Sequence, residues 1–443
     1  MIKTAAAIQL VDTPKPWNPG LLSDTFQQGY ELLPGTSQIY ELQLAYEESR
    51  LLSPKELITR GAYFASIKGT PTNHFRMCGV TPVQVDEKAS ARRKSFFQAN
   101  LFKTGYATHG LFPYRGKFHP QMVKAIINII GLKPGDTLLD PMCGSGTACI
   151  EASLMGIKSV GIDASPFCCL MGRAKYSGAR LEPGSLDDCL HHPEKLLDYF
   201  EVDDSQPNLF KKPTKRTKGT FRLAPGVEEL LKLCYLDTVG YARRRVRKSV
   251  RDLFEVVLGR YVGAVATFSK VREEIGIEPA EARFLEGDAC DLKAAGIAAN
   301  SVDGILTSPP YSFAIDYIDN DSNQLEYMGV NTDQLRLTMI GLKCDGLEAR
   351  FHSYLEDMNR VMEEAHRVLR TGSYCVVVVG TNSNQLKRAM GTATESDLAL
   401  DIRLTEIAKK HGFSLQADLI HPIEGIHNIM RDEHILFYQK QNT

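Results

Sequence analysis

The sequence predicts an α/β doubly wound domain, and three observations carry that expectation. Apolar, β-branched runs alternate with stretches of helical apolar spacing through residues 110–178 and 281–440. One such run, Thr137-Leu138-Leu139-Asp140, enters a Gly-rich turn and a helix, and an acid ends the next run about 20 residues on. Another, Val302-Asp303-Gly304-Ile305-Leu306, stops in Thr307-Ser308-Pro309-Pro310-Tyr311. Ligands of an open α/β sheet lie at the carboxyl ends of its strands, where both motifs fall.

The elements follow in chain order. Pro14-Lys15-Pro16-Trp17-Asn18-Pro19-Gly20 is an irregular lead segment with the only tryptophan, and residues 35–50 and 53–64 have helical character. Arg92-Arg93-Lys94-Ser95-Phe96-Phe97 mixes charge with aromatics, which suits either strand binding or a helix end over a core edge. Tyr114 and Arg115 are expected on the rim of a cleft, ahead of a helix at 122–130. The strand at 137–140 leads through Pro141-Met142-Cys143-Gly144-Ser145-Gly146-Thr147 into a helix at 148–155 and a strand, Lys158-Ser159-Val160-Gly161-Ile162-Asp163. Glycines let the backbone approach a ligand, and the following helix start supplies free N–H groups. The spacing to Asp163 is that of a carboxylate on a ribose diol. Cys149 stands where a dinucleotide fingerprint has its third glycine, and Asp140 puts an acid where a pyrophosphate would sit. A cationic, phosphate-free adenosine cofactor, S-adenosyl-L-methionine, therefore fits better than a dinucleotide.

Residues between Gly178 and Pro279 interrupt the sheet pattern. Residues 182–204 are acidic and turn-rich. Lys211-Lys212-Pro213-Thr214-Lys215-Arg216-Thr217-Lys218-Gly219 reads as a basic loop and Arg243-Arg244-Arg245-Val246-Arg247-Lys248-Ser249-Val250-Arg251 as part of a helix. Residues 211–260 hold fourteen Lys or Arg against five Asp or Glu, a local +9 in a chain of net charge −1. A field concentrated in this way suits a phosphate backbone, with a solvated helix face as the bland alternative. The expected contacts are Arg243, Arg244, Arg245, Arg247, Lys248 and Arg251. Beyond the Pro-Pro motif, a helix at 354–369 with Gly372 as its stop, strand 374–379, helix 404–411 and strands 413–421 and 433–439 complete the sheet.

Two consecutive prolines hold the carbonyls around them without offering N–H groups, and such carbonyls can accept from an exocyclic amine. Tyr311 offers a face on which a base can stack, worth about 1–3 kcal/mol. At this point the residues carry a resemblance. Asp140-Pro141-Met142-Cys143-Gly144-Ser145-Gly146-Thr147 resembles the cofactor motif of DNA amino-methyltransferases, with Met142 where that family usually has Phe. Thr307-Ser308-Pro309-Pro310-Tyr311 resembles the catalytic motif of their N4-cytosine branch. Gly116-Lys117-Phe118-His119-Pro120 is similar to the segment at the methionine end of the cofactor, and Gly287-Asp288-Ala289 to the segment at its adenine amine.

The resemblance implies a Rossmann-like, seven-stranded class I methyltransferase sheet with a helical basic insert and an N-terminal accessory region. The implied division is 1–110 accessory region, 111–178 cofactor half, 179–280 insert and 281–443 catalytic half. It implies cofactor contacts from Lys117, His119, Asp140, Pro141, Met142, Cys143, Gly144, Gly146, Thr147, Asp163, Asp288 and Ala289, and catalytic roles for Ser308, Pro309, Pro310 and Tyr311. The implied partner is double-stranded DNA with one base flipped out, in a setting that allows a cognate restriction or defence partner. The sheet pattern runs to the chain's last residues, so target recognition is expected from the first hundred residues or the insert. Ser308 in place of Asp or Asn favours N4 of cytosine over N6 of adenine. An RNA N2-guanine methyltransferase, a protein glutamine methyltransferase and an inactive cofactor-binding nucleic-acid binder stay open beside it.

Composition sets the remaining bounds. A chain of 443 residues with 43% hydrophobic content can bury a sizeable core. No apolar run approaches a membrane span and no signal peptide is evident, so a cytoplasmic protein is expected. The ten cysteines show neither Cys-x-x-Cys nor zinc spacing, which points to reduced thiols and no metal. The absence of a Pro-Cys dipeptide argues against C5 methylation of cytosine, which needs a thiolate nucleophile.

Overall fold

The computed structural model of the chain describes residues 26–79, 105–114, 116–201, 223–244, 249–310, 316–380, 399–422 and 432–442. Its N-terminal part holds β1 (Tyr30–Leu32), α1 (Ile39–Leu51), α2 (Pro54–Arg60), β2 (Phe64–Ile67), β3 (Thr70–Pro71) and α3 (Asn73–Gly79). Then come α4 (Pro120–Ile129), β4 (Thr137–Asp140), α5 (Thr147–Leu154), β5 (Lys158–Asp163) and α6 (Pro166–Arg180). Four helices follow, α7 (Asp187–His191), α8 (Pro193–Glu201), α9 (Pro225–Arg244) and α10 (Val250–Glu274). The chain re-enters the sheet at β6 (Ala282–Glu286) and β7 (Val302–Thr307). It crosses three short helices, α11 (Tyr317–Asn320), α12 (Ser322–Tyr327) and α13 (Thr332–Thr338). It closes with α14 (Leu347–Val368), β8 (Leu369–Gly380), α15 (Leu400–Lys410), β9 (Phe413–Pro422) and β10 (Asp432–Lys440).

Seven strands form one sheet in the order β6-β5-β4-β7-β8-β10-β9, with β10 antiparallel to both its neighbours and the other pairs parallel. This is the class I methyltransferase arrangement that the family resemblance implied. The chain runs outward from β4 through β5 and β6 and returns to β7 on β4's other side. A crevice therefore opens between the carboxyl ends of β4 and β7, the topological switch point.

Central strands are apolar on both faces because both faces are covered. Leu139, Val160, Ile305 and Val377 pack under α14 and α15, while Leu138, Leu306, Val376 and Phe437 pack under α4 and the N-terminal helices. Every residue of α4 is buried, and its polar side chains bind the N-terminal layer. Asn128 Nδ2 donates to Glu48 Oε1 (2.6 Å) and to the Arg60 carbonyl (2.9 Å), and Gln121 donates to the Ala62 carbonyl (3.0 Å). Lys124 lies 3.6 Å from Glu151, whose other oxygen meets His109 Nε2 at 2.6 Å with both side chains fully buried. Burial pushes the Glu151 carboxyl up, but Lys124 and His109 together outweigh it and hold Glu151 at about 2.

Four local expectations differ. Ser53 and Glu56 form a capping box for α2, but that helix stops at Arg60 and Phe64 opens a strand. The acidic stretch after Glu182 folds into α7 and α8. The basic run is not one helix: α9 ends at Arg244, and Ser249 caps α10 by accepting from Asp252 N–H. Gly372 does not stop α14, which ends at Val368. It sits within β8 at φ +80, where the pairing with β7 slips. The segments 14–20, 92–97 and 211–219 lie outside the described residues, as does Arg115. Among the described residues no helix is long and apolar enough to cross a membrane.

Phe284 of β6 lies in a slot lined by glycines. A Cβ on Gly172 of α6 would meet its ring at 2.3 Å, and one on Gly146 would meet it at 2.8 Å. Gly172→Ala is therefore expected to destabilise the fold by about 1–3 kcal/mol through overpacking. Chemical denaturation should show the loss, and Phe284→Leu in the same chain should recover part of it. Lys124→Met leaves Glu151 buried without its main counter-charge and should cost about 3–5 kcal/mol. Glu151 sits below its ordinary 4.5 in the folded state, so its contribution is complete above that pH and fades as pH falls toward 2. Denaturation of the variant across pH should show a deficit that shrinks on the same course.

Candidate active site

The crevice is built from loops at the carboxyl ends of β4, β5, β6 and β7. After Asp140 the chain turns sharply, with Gly144 at φ +46 and Gly146 at φ +78, conformations that favour glycine. The turn is pinned to β5: Cys143 N–H donates to the Ile162 carbonyl (2.9 Å) and Gly144 N–H to Asp163 Oδ2 (2.8 Å). Ser165 N–H occupies Asp163 Oδ1 at 2.9 Å. Beside β6, Asp288 accepts from Cys290 N–H at 2.8 Å. Across the switch point, Thr307 Oγ1 donates to Asp140 Oδ1 at 2.8 Å, which brings the two sequence motifs to one place.

One cavity collects most of the anticipated residues. Asp140, Pro141, Met142, Cys143, Gly144 and Thr147 line it from the first motif, and Asp163, Asp288 and Ala289 from the next two strands. Lys117 lines it from the segment before α4, and Ser308 and Pro310 from the second motif. Gly146 and Pro309 are not among its lining residues. Gly146 instead begins α5 and admits Phe284, and Pro309 is buried beside the wall. His119 also lies elsewhere: it precedes α4 and packs edge-on against His421 at 5.4 Å. Tyr311 lies outside the described residues.

The cavity also has walls that the motifs do not announce. Tyr114 stacks on Tyr317, with ring centroids 6.1 Å apart and planes 19° apart, and its hydroxyl meets Cys168 Sγ at 3.4 Å. Tyr317 and Leu325 of α11 and α12, Asp321 between them and Met339 just after α13 roof the cavity from the second motif to α6. Of these residues only Tyr114 had a sequence signal, its place just before the cofactor half. Short helices after a Pro-Pro turn carry no periodicity long enough to read.

The charge balance of the site is acidic. Asp140, Asp163, Asp288 and Asp321 face one lysine, Lys117, among the lining residues. Burial raises Asp140 to about 7 against the hydrogen bonds from Thr307 and Met142 N–H, raises Asp163 as well, and pushes Lys117 down to about 8. Burial also holds the Cys143 and Cys168 thiols well above their ordinary range, so neither is a ready thiolate.

The expected phosphate contacts fall only partly in view. Arg243 and Arg244 end α9, and their side chains lie outside the described set, as do Arg245, Arg247 and Lys248. Arg251, 60% exposed, pairs with Asp198 at 3.5 Å. A surface pair of this kind is worth little and can be exchanged for another anion.

Comparison with known proteins adds to this geometry. Residues 111–188 match the profile of UPF0020, an RMKL-like methyltransferase domain. The chain is 46% identical over 67 residues to Type II methyltransferase M.MjaII of Methanocaldococcus jannaschii, covering 15% of this chain and 12% of that protein. It is 22% identical over 310 residues to Type II methyltransferase M.BsoBI of Geobacillus stearothermophilus, covering 59% and 60%. It is 34% identical over 85 residues to a tRNA (guanine(10)-N2)-dimethyltransferase of Methanothermobacter thermautotrophicus, covering 19% and 25%. The chain thus spans less than two thirds of each of these relatives.

S-adenosyl-L-methionine is the cofactor that this fold and this domain imply, and the lining residues fit it. Four carboxylates and one ammonium would repel a pyrophosphate but suit a ligand with a sulfonium, an ammonium, a carboxylate and a ribose diol. Binding such a ligand favours ionised Asp140. Affinity is therefore expected to rise about tenfold between pH 6 and pH 8, with proton release on binding. Above about 8 it should fall again as Lys117 loses its proton. Titration calorimetry in buffers of different ionisation enthalpy reads both, and Asp140→Asn should flatten the lower limb.

Proposed function

We propose that this chain is an S-adenosyl-L-methionine-dependent methyltransferase acting on an exocyclic amine of a flipped nucleic-acid base, with N4 of cytosine in DNA as its target. The observation that carries this reading is the Thr307–Asp140 hydrogen bond. It joins the Ser-Pro-Pro segment to the cofactor loop, so that both line one cavity at the switch point. A methyl acceptor and a methyl donor need that shared space.

When bound, the cofactor supplies an electrophilic methyl group on a positively charged sulfur. Asp163 is assigned to the ribose diol, Asp288 with Ala289 to the adenine edge, and Asp140 and Lys117 to the amino and carboxylate groups of the methionine end. Ser308 Oγ and the Pro309 carbonyl accept the hydrogens of the target amine. Its lone pair, otherwise delocalised into the ring, then turns toward the donor. Tyr311 is the stacking face for the flipped base. The chemistry needs no covalent intermediate, in keeping with buried, protonated thiols in the wall. Positioning and fixed acceptors supply the catalysis. Arg251 and the basic residues around 243–248 are assigned the phosphate backbone.

Methylation of guanine N2 in tRNA is the second reading, favoured by the match to tRNA (guanine(10)-N2)-dimethyltransferases. Two kinds of relative therefore define the test. Labelled cofactor is offered with unmethylated DNA and with cellular RNA, and the digested nucleosides are identified by mass. N4-methylcytosine in DNA is the expected product, and label in guanine of RNA would overturn the first reading. Ser308→Ala should lower turnover by about 10²–10³ while leaving cofactor affinity unchanged, as read by single-turnover kinetics and calorimetry. Unchanged turnover would remove Ser308 from the acceptor site.

A further inference from the structure

The roof of the cavity carries a carboxylate that neither motif accounts for. Asp321 lies between α11 and α12, is 7% exposed and lines the cavity. Its backbone is fully engaged: its N–H donates to the Tyr317 carbonyl (3.0 Å), and its own carbonyl accepts from Gln324 and Leu325 N–H, both at 3.0 Å. The backbone at this position is thereby fixed, yet among the described residues the carboxylate accepts no hydrogen bond and meets no cation. Asp163 is the charged neighbour that acts on it, and the effect is repulsive.

A roof is useful to a ligand only if it is held firmly, and this one is. Ile318 and Leu325 sit in one apolar cluster with Phe167 and Leu170 of α6. Tyr327 Oη donates to the Phe200 carbonyl of α8 at 2.6 Å, and Arg336 of α13 pairs with Asp319 at 2.9 Å and with Asp316. Keeping a carboxylate buried and unpaired is costly, and a ligand donor would offset that cost. The donor must be one that Asp163 leaves room for. Each Asp163 oxygen already accepts a backbone N–H, from Gly144 and from Ser165, whereas Asp321 lines the same cavity and, among the described residues, has no donor on its carboxylate.

We infer that Asp321 is a second diol-binding carboxylate, taking one ribose hydroxyl of the cofactor from the roof while Asp163 takes the other from the floor. The inference rests on the cofactor reading above. A vicinal diol has two donors and no charge, which suits two carboxylates on opposite walls. This makes the α11–α13 crossing part of the cofactor site as well as a cover over it.

The test uses the full chain and 5′-methylthioadenosine, which has the adenine and the diol but no charged group, together with its 2′-deoxy and 3′-deoxy forms. Binding is read by calorimetry. For the wild type, each deoxy form should bind roughly tenfold more weakly than the parent, the loss of one hydrogen bond to a charged group. For Asp321→Ala, the parent should weaken by a similar factor, while the deoxy form lacking the hydroxyl that Asp321 holds should lose nothing further. Asp321→Asn, which keeps one acceptor, should fall between. At pH 8 its unfolding midpoint should equal or exceed that of the wild type, because an unpaired buried charge has been removed. Equal weakening of all three ligands, or none, overturns the inference. A variant that keeps all three affinities but binds the nucleic-acid acceptor less tightly assigns Asp321 to the base and also overturns it. Failure of the wild type to bind any of the three would instead sink the cofactor reading, and the inference with it.

Discussion

The hydrogen bond from Thr307 to the buried carboxylate of Asp140 is the contact on which the site depends. It links the carboxyl ends of β4 and β7, where the sheet order changes direction. A carboxylate with 1% exposure needs donors, and Thr307 and Met142 N–H supply them without an opposite charge. Asp140 therefore stays near neutrality in its titration, able to ionise when a cation arrives. The same contact fixes where Ser308 and Pro310 begin. The two sequence motifs, at the ends of β7 and β4, thus share one anchor.

Around that anchor the fold spends buried polar groups on position. Lys175 of α6, fully buried, donates to the Ser145 carbonyl of the Gly-rich turn at 3.2 Å, and burial drives its ammonium well below its ordinary range. Lys117 donates to the His109 carbonyl at 2.9 Å, and His109 is held in turn by Glu151 of α5. The segment that delivers Lys117 to the cavity is therefore tied to the helix that follows the turn. Phe284, seated in its glycine slot, sets the depth of that turn from β6. These contacts are short-range and directional, which is what a ligand site needs from its supports.

The two remaining layers reach the site from opposite sides. The N-terminal helices complete the sheet's cover through α4, so their packing bears on the cavity floor. The helical insert meets the roof: Arg260 of α10 donates to the Leu111 carbonyl at 3.1 Å and pairs with Asp237 of α9. Leu111 and Phe112 share an apolar cluster with both insert helices and with Ile318. The insert thus packs against the same apolar cluster that holds the roof.

Much of the sheet was legible in the sequence. The apolar runs at 137–140, 158–163 and 302–306 became strands at those positions, because a buried parallel strand has to be apolar on both faces. The Gly-rich turn and the Pro-Pro turn were legible because glycine and proline restrict the backbone locally, whatever surrounds them. What depended on distant partners was not legible. His119 packs on His421 and stays out of the cavity, and Gly146 serves Phe284. The basic run breaks where Ser249 starts a new helix. Asp321 and Tyr317 join the site only because three short helices cross from β7 to α6. The sequence determined which strands form and which chemical groups stand at their ends, since those are local properties of the chain. The tertiary structure alone decided which loops cross the crevice and which carboxylates face one another, because that follows from packing between segments far apart in sequence.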